Sequence, residues 1–266
     1  MNPANPVDLD ASAVVAASND WVWYPDDAQV IDTADYLLVD WPAYLAKPPE
    51  VLRVRSARAS AELLDEIAAQ ARAWGATRVT VWVRLDAPAN LAQELLRRGA
   101  EVGEDLDVLA LDLSAAAPAL PVPEAVRLRW QRDLDTARDA HRVALAAFEE
   151  GTMPDPGRLR VLAEAARVDL AAGRGGTVIA YLDGEPVASA GLTMASGVAR
   201  LWGGGVIPSA RGRGAYRATL AARLGYARRY GATMALVKGR VLTSGPILRR
   251  AGFAVFGKEL CYRLPV

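Results

Sequence analysis

Cysteine and histidine are almost absent from this sequence of 266 residues, which contains one of each, Cys261 and His141. A single cysteine cannot form an intrachain disulfide, and one histidine with one cysteine does not make a zinc-binding set. No apolar run approaches the roughly 18 residues of a membrane span, and the polar N-terminus is unlike a secretory signal. We therefore expect a cytoplasmic protein with no metal and no membrane partner.

Charge is balanced overall but not along the chain. Residues 1–115 carry 9 Lys and Arg against 19 Asp and Glu, whereas residues 116–266 carry 22 against 12. A basic half suits a polyanionic ligand, and an acidic half could dock against it or attract a cationic substrate. The arginines are spread out without a dense basic-aromatic tract, so we do not expect nucleic acid as a partner.

An arginine- and glycine-rich junction at residues 206–217 is the most informative part of the sequence. The pattern predicts a strand that ends near Pro208, a tight loop, and a helix that runs to about Tyr230. Gly212 and Gly214 let a ligand approach the backbone, and the first helical turn offers unpaired N–H groups. Because arginine binds phosphate oxygens in pairs, the junction is typical of a diphosphate site. The residues expected to bind this ligand are Val206, Ile207, Arg211, Gly212, Arg213, Gly214, Ala215, Tyr216 and Arg217.

Two other interpretations of the junction exist. It could be a plain glycine-rich turn with solvated arginines, since short motifs also occur by chance. It could also belong to a Rossmann dinucleotide fold, which needs a third glycine in register and an acidic residue about 20 positions further on. Position 217 is Arg, and no Asp or Glu occurs between Glu185 and Glu259, so we do not expect nicotinamide binding.

The elements around the junction follow a definite order. A hairpin turn is predicted at residues 183–186, and the three glycines 203–205 predict a bulge in the strand before the loop. The predicted sequence of elements is a strand at 176–182, a strand at 187–194, a strand at 198–206, the loop, a helix, a strand at 234–237, a helix at 244–250 and a strand at 253–263.

In these features residues 125–266 resemble the GNAT superfamily of N-acetyltransferases. The resemblance rests on the Arg-x-x-Gly-x-Gly/Ala signature, which falls on Arg211, Gly214 and Tyr216, and on the late segment 246–253 that ends in Gly-Phe. The tyrosine departs from the small residue expected at the last position. The resemblance implies an acetyl-CoA diphosphate in the loop, with Val206 and Ile207 binding the pantetheine and the Ile207 N–H as one oxyanion donor.

A second pattern indicates that the chain contains two copies of one α/β unit. Residues 71–77 align with residues 227–233 at an offset of 156, and residues 95–102 align with residues 247–255. We therefore predict an α/β fold with two GNAT-like domains, each a mostly antiparallel mixed sheet flanked by helices. The predicted boundaries are 1–115 for a degenerate domain without a phosphate loop, 116–124 for an Ala/Pro-rich linker, and 125–266 for the acetyl-CoA-binding domain.

The resemblance implies direct attack of an amine on the acetyl thioester, but the usual acid and base are missing. Leu248 stands where the family often has a tyrosine, and residues 201–205 contain no glutamate. Tyr216, Tyr262 and Ser244 remain as proton donors, and Glu149 or Glu150 as a base acting through water. Each has a simpler structural explanation, such as packing or a solvated helix end. His141 fits a surface or boundary position better than a base.

The acceptor and the oligomeric state are open. Acidic residues within 148–160 suit a cationic amine, so we expect a small-molecule or peptide amine as substrate and a monomer or a homodimer. Two functions remain: an N-acetyltransferase, or a non-catalytic acyl-CoA-binding sensor or scaffold. We also expect that Gly214→Asp weakens coenzyme A binding with little effect on folding.

Overall fold

The computed structural model describes residues 9–114, 119–149 and 151–266. Its helices are α1 (Ala11–Asn19), α2 (Ser60–Ala73), α3 (Leu91–Arg97), α4 (Leu134–Phe148), α5 (Pro156–Ala171), α6 (Ala215–Arg229) and α7 (Ser244–Arg250). Its strands are β1 (Gln29–Asp32), β2 (Tyr36–Asp40), β3 (Glu50–Val54), β4 (Arg78–Val83), β5 (Glu101–Asp112), β6 (Arg127–Trp130), β7 (Gly175–Leu182), β8 (Glu185–Ala195), β9 (Val198–Val206), β10 (Met234–Arg240) and β11 (Ala254–Pro265). The predicted α/β class with mixed sheets is confirmed.

The described residues divide into two compact units. The first unit consists of Asp10–Leu109, Gly239–Arg249 and Val255–Val266, and the second consists mainly of Ala110–Lys238 and Arg250–Ala254. This grouping differs from the linear division at 115 and 125. The predicted linker lies partly outside the described residues, which resume at Ala119.

The sheet of the first unit has the strand order β1-β2-β3-β4-β11-β5. β3 and β4 are parallel, whereas β11 pairs antiparallel with β4 through six residue pairs from Leu260–Val83 to Pro265–Arg78. The last strand of the sequence therefore completes the sheet of the first unit. The physical reason is long-range pairing, which local sequence patterns do not encode.

Helix α2 covers one face of this sheet because its apolar residues recur every three or four positions. Leu63, Leu64 and Ile67 are fully buried and share a core with Leu38 of β2. The opposite face of the strands carries a separate apolar cluster that includes Leu37, Val39 and Trp41. The alternation along β2 is that of a strand buried on both faces.

The second unit contains strands β10-β9-β8-β7-β6 in this order. β6 to β9 pair antiparallel, and β10 pairs parallel with β9. Helix α6 packs on one face through Ala215 and Ala218, which contact a cluster containing Ala180 and Ala188. A cluster on α4 and β7 joins Ala140 to Ile179 and Tyr181. Small residues at these contacts let the helices approach the strands closely.

The predicted hairpin and bulge both form. Asp183 and Gly184 have φ values of 53° and 84°, as a two-residue turn with positive φ requires. The register between β8 and β9 shifts between Ser189 and Gly191, opposite a segment of β9 in which Gly203 has φ 58°. A bulge at this point bends β9 and re-aims its backbone.

Candidate functional site

The loop between β9 and α6 presents a row of unpaired backbone amides. A short 3-10 turn at Pro208–Ala210 uses the amides of Ala210 and Arg211, which donate to Ile207 and Pro208. Within the described parts of the chain, no acceptor is found for the six amides from 212 to 217. Gly214 is the N-cap of α6 and supplies no side-chain cap. Successive free N–H groups at a helix N-terminus form an anion-binding site.

Both loop glycines adopt conformations that side chains rarely take, with φ of 77° at Gly212 and 82° at Gly214. A Cβ on Gly212 would meet no atom within 4 Å, but a Cβ on Gly214 would lie 2.6 Å from Cγ of Pro123. The expectation that Gly214→Asp would spare folding is therefore wrong, because the new side chain would collide with Pro123. Gly212 is the position that opens onto free space.

Three arginines surround these amides, and all three are exposed. Nε of Arg211 lies 3.4 Å from the Val206 carbonyl oxygen, and Arg213 forms an ion pair of 3.3 Å with Asp183. Both side chains of that pair are largely solvated, so it is weak and can be exchanged for a ligand. No ion pair of Arg217 is found among the described residues. The loop thus keeps cationic groups that a diphosphate could bind.

Strands β9 and β10 run together only at their beginnings. Their parallel pairs extend from Val198–Met234 to Leu201–Val237, after which β9 continues through the bulge to Val206. The Ile207 N–H donates to the carbonyl of Val187 at 3.0 Å. The prediction of Ile207 as an oxyanion donor is therefore wrong, because its only N–H is already used to extend the β8–β9 ladder.

Trp202 stands where β9 leaves its parallel partner and is 44% exposed. Its Nε1 donates to Oγ1 of Thr193 at 3.0 Å, and its indole ring fills the space next to Gly191 that a Cβ would otherwise occupy. An exposed tryptophan fixed in this way gives the strand a rigid apolar surface. The sequence analysis gave Trp202 no role, because it considered residues 201–205 only for their lack of a glutamate.

Arg223 on α6 is 2% exposed and has no carboxylate partner among the described residues. Its Nη1 donates to the Gly191 carbonyl at 3.2 Å and its Nε to the Thr219 carbonyl at 3.3 Å. Burial lowers the pKa of Arg223, and the neighbouring Tyr216 hydroxyl opposes that shift. The sequence analysis did not predict that Arg223 is buried among neutral acceptors. Its position three residues after Leu220, on the apolar face of the helix, was a sequence signal for this burial.

Tyr216 lies against the bulge. A Cβ on Gly204 would be 3.1 Å from Cε2 of Tyr216 and 3.6 Å from Nη2 of Arg223. The tyrosine that replaces the small residue of the signature thus occupies space left by a glycine on β9. The structure brings Tyr216, Gly204 and Arg223 together.

Glu149 and Ser244 are two further predicted acid–base residues. Glu149 is exposed with φ 58°, directly after Phe148, whose ring would be 3.0 Å from a Cβ on Gly205 of the bulge. Ser244 belongs to the first unit, where its Oγ would be 3.4 Å from a Cβ on Gly239. Glu150 lies outside the described residues. The roles of Glu149 and Ser244 stay predictions.

The remaining candidate side chains have structural roles. Nδ1 of His141 lies 2.9 Å from the Ala137 carbonyl one helical turn earlier, and Tyr262 is buried in the core of the first unit. Burial raises the pKa of the Cys261 thiol to about 11. Among the described residues, no three His, Cys, Asp or Glu side chains are grouped to hold a metal ion, and no helix is long and apolar enough to cross a membrane.

Along the sequence, the run from β1 to β5 has the same order of helices and strands as the run from β7 to β11, but its loop is different. Residues 55–59 join β3 to α2 without glycine. Arg55 forms an ion pair with Asp86, and Arg58 lies 3.3 Å from Asp35 and 3.0 Å from Glu66. The cations of this loop are therefore neutralised by the chain itself, in contrast to the glycine-containing loop of the second unit.

A cleft of about 500 Å³ adjoins the loop of the second unit. It is lined by residues of α4 including Arg142, by the β7–β8 turn, and by Ile207, Ser209 and Arg213 of the loop. Arg142 is held by Asp139 on the same helix at 2.9 Å. The cleft is therefore lined by two arginines, one of which, Arg213, belongs to the loop with the unpaired amides.

The second unit is an α/β domain in which a bulged strand leads through an amide-lined loop into a helix. Comparison of the sequence with family models supports a narrower assignment, since residues 119–239 match the acetyltransferase (GNAT) domain. This match agrees with the resemblance to the GNAT acetyltransferases that the loop and the strand order predicted. No curated protein matches the sequence.

Solved structures share the fold over nearly the whole chain. A GCN5-related N-acetyltransferase from Kribbella flavida is 21% identical, with a TM-score of 0.64 over 96% of this chain and 95% of that one. A GCN5-related N-acetyltransferase from Sphaerobacter thermophilus is 19% identical, with a TM-score of 0.63 over 88% and 81%. A tandem GNAT protein from the clavulanic acid biosynthesis pathway is 15% identical, with a TM-score of 0.63 over 94% and 87%.

Proposed function

We propose that the protein is an acetyl-CoA-dependent N-acetyltransferase that acts on an amine of a small molecule or a peptide. The observation that carries the proposal is the run of six unpaired amides after Arg211, combined with arginines that are exposed and weakly paired or unpaired. A diphosphate would satisfy donors that otherwise face water. The match of residues 119–239 to the acetyltransferase (GNAT) domain agrees with this ligand.

The loop fits a coenzyme A diphosphate in shape and in charge. The amides of Gly212, Arg213, Gly214, Ala215 and Tyr216 would donate to the phosphate oxygens, and the positive end of α6 would favour their charge. The free space at Gly212 is where a side chain would obstruct the ligand. Arg211 and Arg217 would add guanidinium donors. Val206 and Ile207 would flank the pantetheine, through the Val206 backbone and the Ile207 side chain.

Acetyl-CoA supplies an activated acetyl thioester when it is bound, so the protein mainly has to position the reactants. The bulge at 203–205 would present backbone N–H to the acyl carbonyl oxygen, the role that Ile207 cannot fill. Tyr216 would supply the proton for the departing thiolate. Glu149, at the end of α4 near the bulge, would accept the amine's proton through water.

The first unit is proposed to be a degenerate copy that stabilises the catalytic one. Its corresponding loop has no glycine, and its arginines are engaged with Asp35, Glu66 and Asp86. It contains the partner strand of β11, since β4 pairs with the last strand of the sequence. Its excess of acidic residues would attract a cationic acceptor to the protein.

A non-catalytic acyl-CoA-binding module is the second candidate function. It is favoured by the buried Leu248 where the family often has a tyrosine, and by the absence of any carboxylate from β9. In this function the same loop would bind the ligand, but no group would complete the proton transfers.

Purified protein, acetyl-CoA and a panel of amines separate the two functions. The panel should include amino sugars, polyamines and peptide N-termini, with thiol release as the assay and calorimetry for coenzyme A binding. Amine-dependent thiol release is expected for the transferase. Binding without turnover over the whole panel would favour the sensor, and the lack of any coenzyme A binding would exclude both.

A further inference from the structure

We propose that Arg223 is a positioning residue of the acyl-transfer site, which holds the Tyr216 hydroxyl in a proton-donating orientation at the bulge of β9. This inference rests on the proposed function, because it assigns the acid of that reaction. It follows from the juxtaposition of three residues in the second unit: Arg223, Tyr216 and Gly204.

Burial of Arg223 is costly for folding. A guanidinium transferred out of water without a carboxylate loses several kcal/mol of hydration, by a rough general estimate. The acceptors of Arg223 are neutral, namely the carbonyls of Gly191 and Thr219. The buried face of α6 would accept an apolar residue at this position, as it does at Leu220 and Leu224. A destabilising charge that replaces a simple apolar contact indicates a role other than folding.

The chemistry of the two groups determines how the hydroxyl is oriented. A guanidinium has only donors, so the Tyr216 oxygen can only accept from Arg223. With Arg223 as its donor, the single O–H of Tyr216 points away from the guanidinium. Because the ring of Tyr216 lies against Gly204, the free direction is the bulge, where the proposed function places the thioester.

Charge adds a second advantage. When the amine nitrogen attacks the acyl carbon and the C–S bond breaks, the Tyr216 O–H bond also breaks and its proton goes to the sulfur. The pair of half-buried Tyr216 and buried Arg223 then changes from a net charge of +1 to neutrality, since the phenolate compensates the guanidinium. Solvent returns a proton to Tyr216, and the surplus proton on the positively charged nitrogen leaves through water, which gives the neutral amide and the free thiol. The uncompensated cation thus favours proton donation by its neighbour.

The test compares Arg223→Met, Arg223→Lys, Tyr216→Phe and the double variant Tyr216→Phe/Arg223→Met. Leu220→Met on the same buried helix face is the matched control. Thermal unfolding, calorimetric coenzyme A affinity, and kcat and KM for acetyl-CoA with the best amine are measured for each. Arg223→Met is expected to unfold at the same temperature as the wild type or higher, because an uncompensated charge has been removed.

The expected kinetic result is a loss of kcat of about tenfold to a hundredfold in Arg223→Met and in Tyr216→Phe. KM and coenzyme A affinity should stay within about threefold, because backbone amides would bind the diphosphate and neither substitution removes one of them. The double variant should lose no more than either single variant, because both changes remove one function. Arg223→Lys should recover part of kcat, and Leu220→Met should match the wild type.

Four outcomes would overturn the inference. An unchanged kcat in Arg223→Met would leave the transferase proposal intact and remove the role of Arg223. Multiplicative losses in the double variant would show that the two residues act independently. A loss of activity that follows a loss of thermal stability would assign Arg223 to folding. If the wild type binds coenzyme A but releases no thiol with any amine, the transferase proposal fails as well.

Discussion

Substitution of Gly212 by Asp tests the diphosphate site most directly. A Cβ at this position meets no atom within 4 Å, so the side chain causes no collision. The φ of 77° remains unfavourable for side chains, but Asp and Asn tolerate it better than most residues. Gly212→Asn is therefore a close control, because it has the same size and the same backbone preference without the charge.

The magnitude follows from Coulomb's law. Two unit charges about 5 Å apart repel by about 1–3 kcal/mol in the effective dielectric of a protein surface. Since 1.4 kcal/mol corresponds to about a factor of ten, Gly212→Asp should bind coenzyme A roughly 5- to 150-fold more weakly than Gly212→Asn. Gly212→Asn has the same backbone strain and the same obstruction of the ligand as Gly212→Asp. The difference in coenzyme A affinity between the two variants therefore measures the effect of the charge.

Isothermal titration calorimetry with coenzyme A at two salt concentrations measures this difference. Higher salt should reduce the gap between the Asp and Asn variants, because exposed charges are screened. Thermal unfolding without ligand should be nearly the same for both. Equal affinities of the two variants at low salt would refute the assignment of the ligand's diphosphate to this loop.

Three further predictions concern the first unit. Burial raises the pKa of Glu50, so the folded protein binds the carboxyl proton more tightly than the unfolded chain does and gains stability as the pH falls. Glu50→Gln should therefore raise Tm at neutral pH, and the difference from the wild type should shrink in acid. No difference in Tm at neutral pH would show that burial of the carboxylate has no cost. The Cys261 thiol, with a pKa raised to about 11, should resist maleimide labelling at pH 8 until denaturant is added, and rapid native labelling would contradict its burial. A fragment of residues 120–266 lacks β4, the partner of β11, so it should be poorly soluble and inactive; full activity would show that the first unit is dispensable.

Local chemistry explains why the loop region was predictable. A positive φ at Asp183 and Gly184 is encoded by the two residues themselves, and the glycines 203–205 marked the bulge. The strand, loop and helix around Gly212 depend on neighbours within a few positions. Such features carry their own signal in the sequence.

Contacts between residues that are distant along the chain explain why the expectations for Gly214 and Ile207 were wrong and why Arg223 was missed. Pro123 makes Gly214 intolerant of a side chain, although 91 positions separate them. The Ile207 amide is used by Val187 on the neighbouring strand. The proposed role of Arg223 depends on its burial beneath β9, which cannot be predicted from the presence of an arginine in a helix.

The α/β class, the order of strands and helices from β7 to β11, and the loop with its glycines and arginines follow from the sequence, because they depend on backbone preferences and short-range periodicity. The folded structure was needed to show which amides stay unpaired, which glycine has open space, and which strand β11 joins. Those properties depend on hydrogen-bond partners and packing neighbours that are distant along the chain, and only folding determines them.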